Sequence, residues 1–380
     1  MQVPVLGATA TDRAERPVAH PFVLSRPHGT VIAEGVSEHF DRASAAADAL
    51  RTGQVAAIVG ALPFAPDGPA ALTAPNTLHH SPAHYDAPAA DLPPITITGA
   101  LPSEGEHIDR VETVLRLLRS DDNDLLKVVL ARALALRADR PVTPHDLLVA
   151  LTRNDPLHNG FLVDLTAAGG VWTGRHLVGS SPEVLVRRRG DRVTAHPLAG
   201  SAPRHCDPGI DRATADRLAG SAKNLAEHAH VIDAIRAALE PLCVDLDIPE
   251  QPTVTSTRQL WHLGTPIEGR LHDPGVTALD LALAVHPTPA ICGTPTAAAR
   301  DLILATEGDR GFYAGALGWC DAAGDGEWLV TIRCAVLDAD GVGLTAYAGG
   351  GIVADSDPAD ELAETTVKFG TVLDALGVLR

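Results

Sequence analysis

The chain is short of long apolar runs, of paired cysteines and of lysine, and each shortage narrows what it can do. No run approaches the roughly 20 apolar residues of a membrane-spanning helix, and the opening "MQVPVLGATATDRAERPVAH" has no apolar stretch of signal-peptide length before Asp12 and Arg13. A protein that stays in the cytoplasm is expected. The five cysteines are odd in number and form no C-x-x-C pair, so they signal neither a disulfide framework nor a structural zinc site. Basic residues are outnumbered 30 to 48 by acidic ones, and the net charge of −18 disfavours nucleic acid and anionic membrane as partners. A small-molecule partner fits better. Neither internal repeats nor coiled-coil heptads are present, which makes a monomer the expectation.

Lysine is the sharpest shortage: of 30 Lys+Arg residues only Lys127, Lys223 and Lys368 are lysine, and the other 27 are arginine. Compositional drift would leave a few lysines anywhere. Chemistry offers a second reason, because a desolvated lysine can lose its proton near neutral pH and act as a base, whereas arginine cannot.

At 380 residues with 45% hydrophobic and 21% charged, the chain is long enough for one large domain or two fused lobes. Residues 1–105 form an N-terminal part with strand-like "PFVLSR" and "GTVIAEG" and a Pro/Ala/His-rich segment, "FAPDGPAALTAPNTLHHSPAHYDAPAADLPP", that reads as a long surface connection. Residues 106–380 are more regular. "HIDRVETVLRLLRS" predicts a helix, "FLVDLT", "EVLVRRR" and "DRVTAHPL" predict strands, the last two joined at Gly190-Asp191, and "EWLVTIRCAVL" and "VGLTAYAG" flank the turn "DADG". A terminal helix is expected from Pro358 to about Leu376. Hairpins mixed with long helices indicate an α+β fold of antiparallel sheet and helix.

Strand alternation puts Lys127 on one face with Val129, Ala131, Ala133 and Ala135, opposite Leu126, Val128, Leu130, Leu134 and Leu136. Small neighbours leave room for a ligand, although a lysine opening a strand often keeps its head in water. In "SAKNLAEHAHVIDAIRAALEPL" the apolar stripe is Leu225, Ala229, Ile232, Ile235 and Leu239, with Lys223, Glu227 and His230 on its flank. In "DPADELAETTVKFGTVLDAL" the stripe is Leu362, Thr366, Phe369, Leu373 and Leu376, with Glu361, Glu364 and Lys368 gathered on another face. Carboxylates from two helices suit Mg²⁺, a hard cation that takes oxygen ligands and keeps part of its shell for water and substrate. Glu364 and Lys368 are equally placed for a plain exposed i,i+4 ion pair.

Six stretches in order, "HPLAGSAPR", "SAKNLAEHAHVI", "QLWHLGTPIEGRL", "HPTPAICGTP", "GFYAGALGWCDAAGDGEWLVTIRCA" and "AGGGIVADSDPADELAETTVK", resemble the chorismate-utilising enzymes. "HPTPA" and "GWCDAAGDGEWLVTIRC" look most like the isochorismate synthases of catecholate-siderophore (2,3-dihydroxybenzoate) pathways. The resemblance spans roughly residues 105–375. It implies the anthranilate synthase component I-like, chorismate-binding fold, with a large antiparallel sheet in two pseudo-symmetric lobes, helices packed outside and a Mg²⁺ site.

Residue by residue, the resemblance implies Lys127 as the general base that activates water at C2 of chorismate, and Glu183 as the general acid for the departing C4 hydroxyl. Glu227 and Glu364 fall on Mg²⁺ ligands, with Glu361 in the outer shell. Tyr313 and Arg333 fall on positions that hold the enolpyruvyl carboxylate, and Lys368 on one that supports a substrate carboxylate. Backbone at Gly200, Ser201 and Gly349, together with His262 and Ala290 of "HPTPA", completes the implied pocket. Ammonia-using relatives usually carry glutamine in place of Lys127 or lysine in place of Ala199, so water is the implied nucleophile. Salicylate synthases share the acid and base and go on to eliminate pyruvate, which makes them the nearest alternative. The chain departs from the family pattern at Ala202, His205, Asn224 and Thr296, and Asn224 removes a negative charge one helical turn before Glu227. A homologue that binds chorismate without turning it over is the non-enzymatic alternative.

Overall fold

The computed structural model describes residues 20–88 and 91–378; the N-terminal stretch read above as lacking a leader lies outside them, apart from His20. Among the described residues no helix is long and apolar enough to cross a membrane.

The expected large antiparallel sheet is realised as two, of ten and nine strands, with a separate three-stranded sheet of Leu198–Pro203, Leu260–Gly264 and Thr253–Ser256. Each large sheet is built on three strand pairs laid side by side. In the first these are Phe22–Arg26 with Gly29–Glu34, Gly160–Asp164 with His176–Gly179, and Cys334–Leu337 with Gly343–Val353. In the second they are Ala57–Leu62 with Ala71–Ala74, Ala316–Asp321 with Gly326–Val330, and Val184–Arg189 with Arg192–His196. The joins match as well. The first strand of the N-terminal pair lies beside the first strand of the middle pair, and the second strand of the middle pair beside the first of the outer pair. This common order is the pseudo-symmetry of the two lobes. The outer pairs are exchanged, however: past Gly179 the chain enters the second sheet at Val184, and past Val330 it enters the first at Cys334, with the short strand Gly293–Thr294 joining the first sheet in between.

The central strands of the first sheet are buried on both faces. Phe22, Leu24, Phe161, Val163 and Leu177 point into the main core with Ile58, Leu62, Leu317 and Trp328 of the second sheet. Their neighbours Val23, Leu162 and Val178 point the other way, onto Leu147 and Leu148 of the helix Pro144–Asn154 and Phe369 and Leu373 of the helix Pro358–Ala375. Period-two alternation therefore feeds two cores from one strand. At roughly 1.5–3 kcal/mol per fully buried large apolar side chain, these faces fix the register against slippage.

Local signals place several ends. Ser103 and Glu106 form a reciprocal capping box, so the first long helix is Glu104–Leu118, starting earlier than the apolar period suggests. Other expectations are corrected. Within the supposed surface connection, Ala71–Ala74 is a wholly buried strand, because pairing with Ala57–Leu62 outweighs the flanking prolines and glycines. "EWLVTIRCAVL" is two strands, Gly326–Val330 and Cys334–Leu337, parted at Thr331–Arg333 with Arg333 at φ 53°. The helix Ala222–Leu239 buries His228, Val231, Ile232, Ile235 and Leu239, while Ala229 is exposed. In Pro358–Ala375 the first turns bury Glu361 and Thr365 in place of Leu362 and Thr366. In both helices buried polar partners hold a polar side chain inward, His228 through Ala199 and Thr265 and Glu361 through Ser356.

Candidate active site

Two of the passages between the large sheets, the segments 180–183 and 331–333, touch: Ser180 N donates to the Arg333 carbonyl at 3.0 Å and Val330 N to the Glu183 carbonyl at 3.1 Å. Glu183 and Arg333 occupy equivalent places, each the last residue before its next strand, and both are buried. The pseudo-symmetry of the fold thus brings a carboxyl and a guanidinium from distant sequence positions to one wall.

That wall bounds a cavity. Of the residues implied by the resemblance, Glu183, Gly200, Ser201, Glu227, His262, Ala290, Tyr313, Arg333, Gly349, Glu364 and Lys368 all line it. Lys127 and Glu361 stand immediately behind. Lys127 is fully buried, not solvated at its head, and its Nζ lies 2.7 Å from Glu227 Oε1. The strand Gly343–Val353 runs beside Lys127–Ala138 with Gly351 opposite Val129, and a Cβ on Gly351 would sit 2.6 Å from Glu227 Oε1 and 2.8 Å from Lys127 Cε. Only glycine fits there. His286 lies off the cavity, its Nε2 at 2.9 Å from the Pro63 carbonyl. Asn224 packs against Gly200, and its Nδ2 donates to Ser221 Oγ at 2.9 Å, within the N-cap of its own helix. Tyr347, which sequence reasoning missed, lines the cavity stacked on Tyr313 with ring centroids 5.0 Å apart. Its strand alternation with Gly349 and Gly351 was the available signal.

All three lysines are accounted for: each engages one of the three clustered carboxylates. Lys127 pairs with Glu227, Lys223 donates to Glu361 at 3.3 Å, and Lys368 donates to Glu364 and to the Gly349 carbonyl at 2.9 Å. These carboxylates are also the oxygen donors a hard cation requires. Glu361 Oε1 accepts from Ser356 Oγ at 2.6 Å, whereas its Oε2 is buried with no partner. A Cβ built on Gly350 would meet that Oε2 at 3.1 Å and Glu364 Oε1 at 3.8 Å, so the glycine keeps open a space between two carboxylates. Among the described residues no three His, Cys, Asp or Glu side chains form a ready-made metal cage. Mg²⁺ does not need one, since it is commonly held by one or two carboxylates plus water and substrate oxygens. The residues present fit such an ion.

Charge states follow from burial and neighbours. Burial pushes the Glu183 carboxyl up to about 7, and the backbone N–H of Leu198 at 3.4 Å with the charges of Lys127, Arg333 and Lys368 only partly opposes it. Burial also pushes Glu227 up, but the adjacent Lys127 outweighs it and the carboxyl ends below its usual value. Glu361 is raised by burial and by the charge of Glu364. His262 is held well below its ordinary value by burial and by Arg333 and Lys368, which leaves a neutral imidazole whose buried Nε2 has no partner among the described residues. The site therefore offers one carboxyl that keeps its proton up to about pH 7, one neutral ring, a guanidinium and a carboxylate cluster. These suit a small ring substrate with two carboxylates.

Comparison with known proteins agrees with this geometry. A family profile described as "Chorismate binding enzyme" matches residues 75–377. A Mycobacterium tuberculosis protein assigned as isochorismate synthase MenF is 53% identical over 94% of this chain and 96% of its own length. Isochorismate synthase DhbC of Bacillus subtilis is 42% identical over 94% of each chain. The crystal structure of a Bacillus anthracis protein, DhbC, assigned as a 2,3-dihydroxybenzoate-specific isochorismate synthase, superposes with a TM-score of 0.85 at 37% identity, covering 96% of this chain and 97% of that one. With the profile spanning most of its length and relatives above 40% identity over nearly all of it, the chain belongs to the chorismate-binding enzyme family.

Proposed function

We propose that the chain is an isochorismate synthase, adding water at C2 of chorismate as the C4 hydroxyl departs. The observation that carries the reading is a buried carboxyl lining the cavity, Glu183, whose proton affinity burial raises to about 7, together with a fully buried lysine, Lys127, directly behind the cavity wall. An allylic displacement needs one group to give a proton as another takes one. Glu183 donates to the leaving hydroxyl, and Lys127 takes the proton of the attacking water. Arg333, with Tyr313 beside it, grips the enolpyruvyl carboxylate, for which a planar guanidinium offers a two-point hold. Lys368 supports the second carboxylate. His262 presents an uncharged ring edge to the substrate, and the buried walls limit water to the nucleophile.

Glu227 and Glu364 would hold Mg²⁺, with Glu361 supporting from behind; when bound, the ion supplies a Lewis acid for the ring carboxylate. The likeness of "HPTPA" and the Bacillus anthracis neighbour support use in 2,3-dihydroxybenzoate, hence siderophore, supply. A cytoplasmic monomer acting on a free metabolite completes the reading, in keeping with the net charge of −18.

The test is chromatography of the products after the protein is incubated with chorismate and Mg²⁺, with EDTA as the control. Isochorismate alone is expected, lost with EDTA. Salicylate with released pyruvate would assign a salicylate synthase, and unchanged chorismate a binder.

A further inference from the structure

Residues 20–105 show little chemistry in the sequence, yet one of them reaches the segment that carries Glu183. Arg26 ends the first strand and is buried. Its Nη1 donates to the Ser181 carbonyl at 3.0 Å and to Asn159 Oδ1 at 2.7 Å, while its Nε lies 3.7 Å from Glu327 Oε1. Glu327 belongs to the second sheet, so the guanidinium spans both sheets where the chain passes from one to the other. Asn159 is itself fixed, its Nδ2 donating to Asp155 Oδ1 at 3.0 Å, and Asp155 Oδ2 accepts from Ser180 Oγ at 3.1 Å. Ser181 Oγ accepts from Glu183 N at 3.3 Å. The polar contacts converge on Ser180 and Ser181. Among the described residues the Glu183 carboxyl has only the long bond from Leu198 N at 3.4 Å to orient it, so its aim depends on the backbone that bears it.

We propose that Arg26 is a positioning residue for Glu183: by locking the Ser181 carbonyl it sets where the Glu183 carboxyl enters the cavity. The proposal rests on the reading of Glu183 as proton donor. Loosening the segment would misplace the acid, and displacements of about 1 Å can cost on the order of a hundredfold in rate. It would also admit water to the carboxyl, which lowers its proton affinity towards that of an exposed glutamate.

The experiment uses the full chain with Mg²⁺ and chorismate and compares Arg26→Met and Asn159→Ala with wild type for kcat, KM, the pH dependence of kcat/KM and thermal midpoint. Arg26→Met should lower kcat by about tenfold or more with KM within about threefold. The alkaline limb of kcat/KM, which lies near 7 if Glu183 is the acid, should move to lower pH. Asn159→Ala, which keeps the charge facing Glu327, should move the limb the same way with a smaller loss of kcat. A limb and a kcat that stay at wild-type values in the variants that fold would overturn the proposal, even where the thermal midpoint falls. If Arg26→Met does not fold, Asn159→Ala decides. Glu183→Gln runs alongside: inactive Glu183→Gln beside unaltered Arg26→Met and Asn159→Ala overturns the positioning role alone, and active Glu183→Gln removes the acid and this role together.

Discussion

A glutamate ordinarily ionises near 4.5, and the same residue at position 183 is pushed up to about 7 because burial penalises its charge more than its neighbours repay. A value raised in the folded state means that the favourable contribution is complete below 4.5 and is lost as pH climbs through about 7. Glu183→Gln has no charge to bury. At about 1.4 kcal/mol per pH unit, the variant should be more stable than wild type by roughly 3 kcal/mol at pH 8 and about equal to it at pH 4.5, read from urea midpoints. Its turnover should fall about 10²–10⁴-fold. Equal stability at both pH values would show that Glu183 is already hydrated in the folded protein. Lys127→Arg keeps positive charge beside Glu227 but has no accessible neutral form, so turnover should drop on the same scale while calorimetry still detects chorismate. Retention of more than about a tenth of wild-type turnover would remove Lys127 as the base.

At the scale of the element, the run Gly349-Gly350-Gly351 does what no other residues could in a strand laid against Lys127–Ala138. Its alternating faces admit Tyr313 and the Lys127–Glu227 pair on one side and Glu361 on the other. Gly351→Ala should force the pair apart, at a cost of about 1–3 kcal/mol of overpacking and at least a tenfold loss of turnover. Gly105→Ala is the control: the position is inside the helix Glu104–Leu118 with nothing within 4 Å of an added Cβ, so it should stabilise by about 0.4–1 kcal/mol at full activity. Thermal midpoints and rates for the two variants distinguish a site glycine from an incidental one. The helices teach the same lesson. Period-3.6 reading found both, but it placed Leu362 and Ala229 inward because apolarity was the only cue, whereas Glu361 and His228 take the inward places through Ser356 and Lys223 in one case and Ala199 and Thr265 in the other.

Across the whole molecule, the exchanged outer strand pairs tie the N-terminal part into both lobes. Phe22–Arg26 pairs with Gly160–Asp164 and Ala57–Leu62 with Ala316–Asp321, so removal of residues 1–105 strips strands from both sheets and opens the core around Phe161 and Leu317. The remaining chain should lose cooperative thermal unfolding and bind a hydrophobic dye, as measured by circular dichroism and fluorescence. Cooperative melting of the fragment 106–380 would instead show a self-sufficient catalytic region. The sequence by itself determined the α+β class, the separate hairpins and helices, the scarcity of lysine and, through motif order, many of the residues that line the cavity, though not Tyr347. These are local or compositional properties, carried by short-range periodicity and by side-chain chemistry that does not depend on neighbours. Only the tertiary structure decided that "EWLVTIRCAVL" breaks between two sheets, that Lys127 is wholly buried, that each lysine takes one carboxylate and that Arg26 reaches Ser181. Those outcomes depend on backbone pairings and desolvation between residues far apart in the chain, and neither leaves a periodic trace in the order of the amino acids.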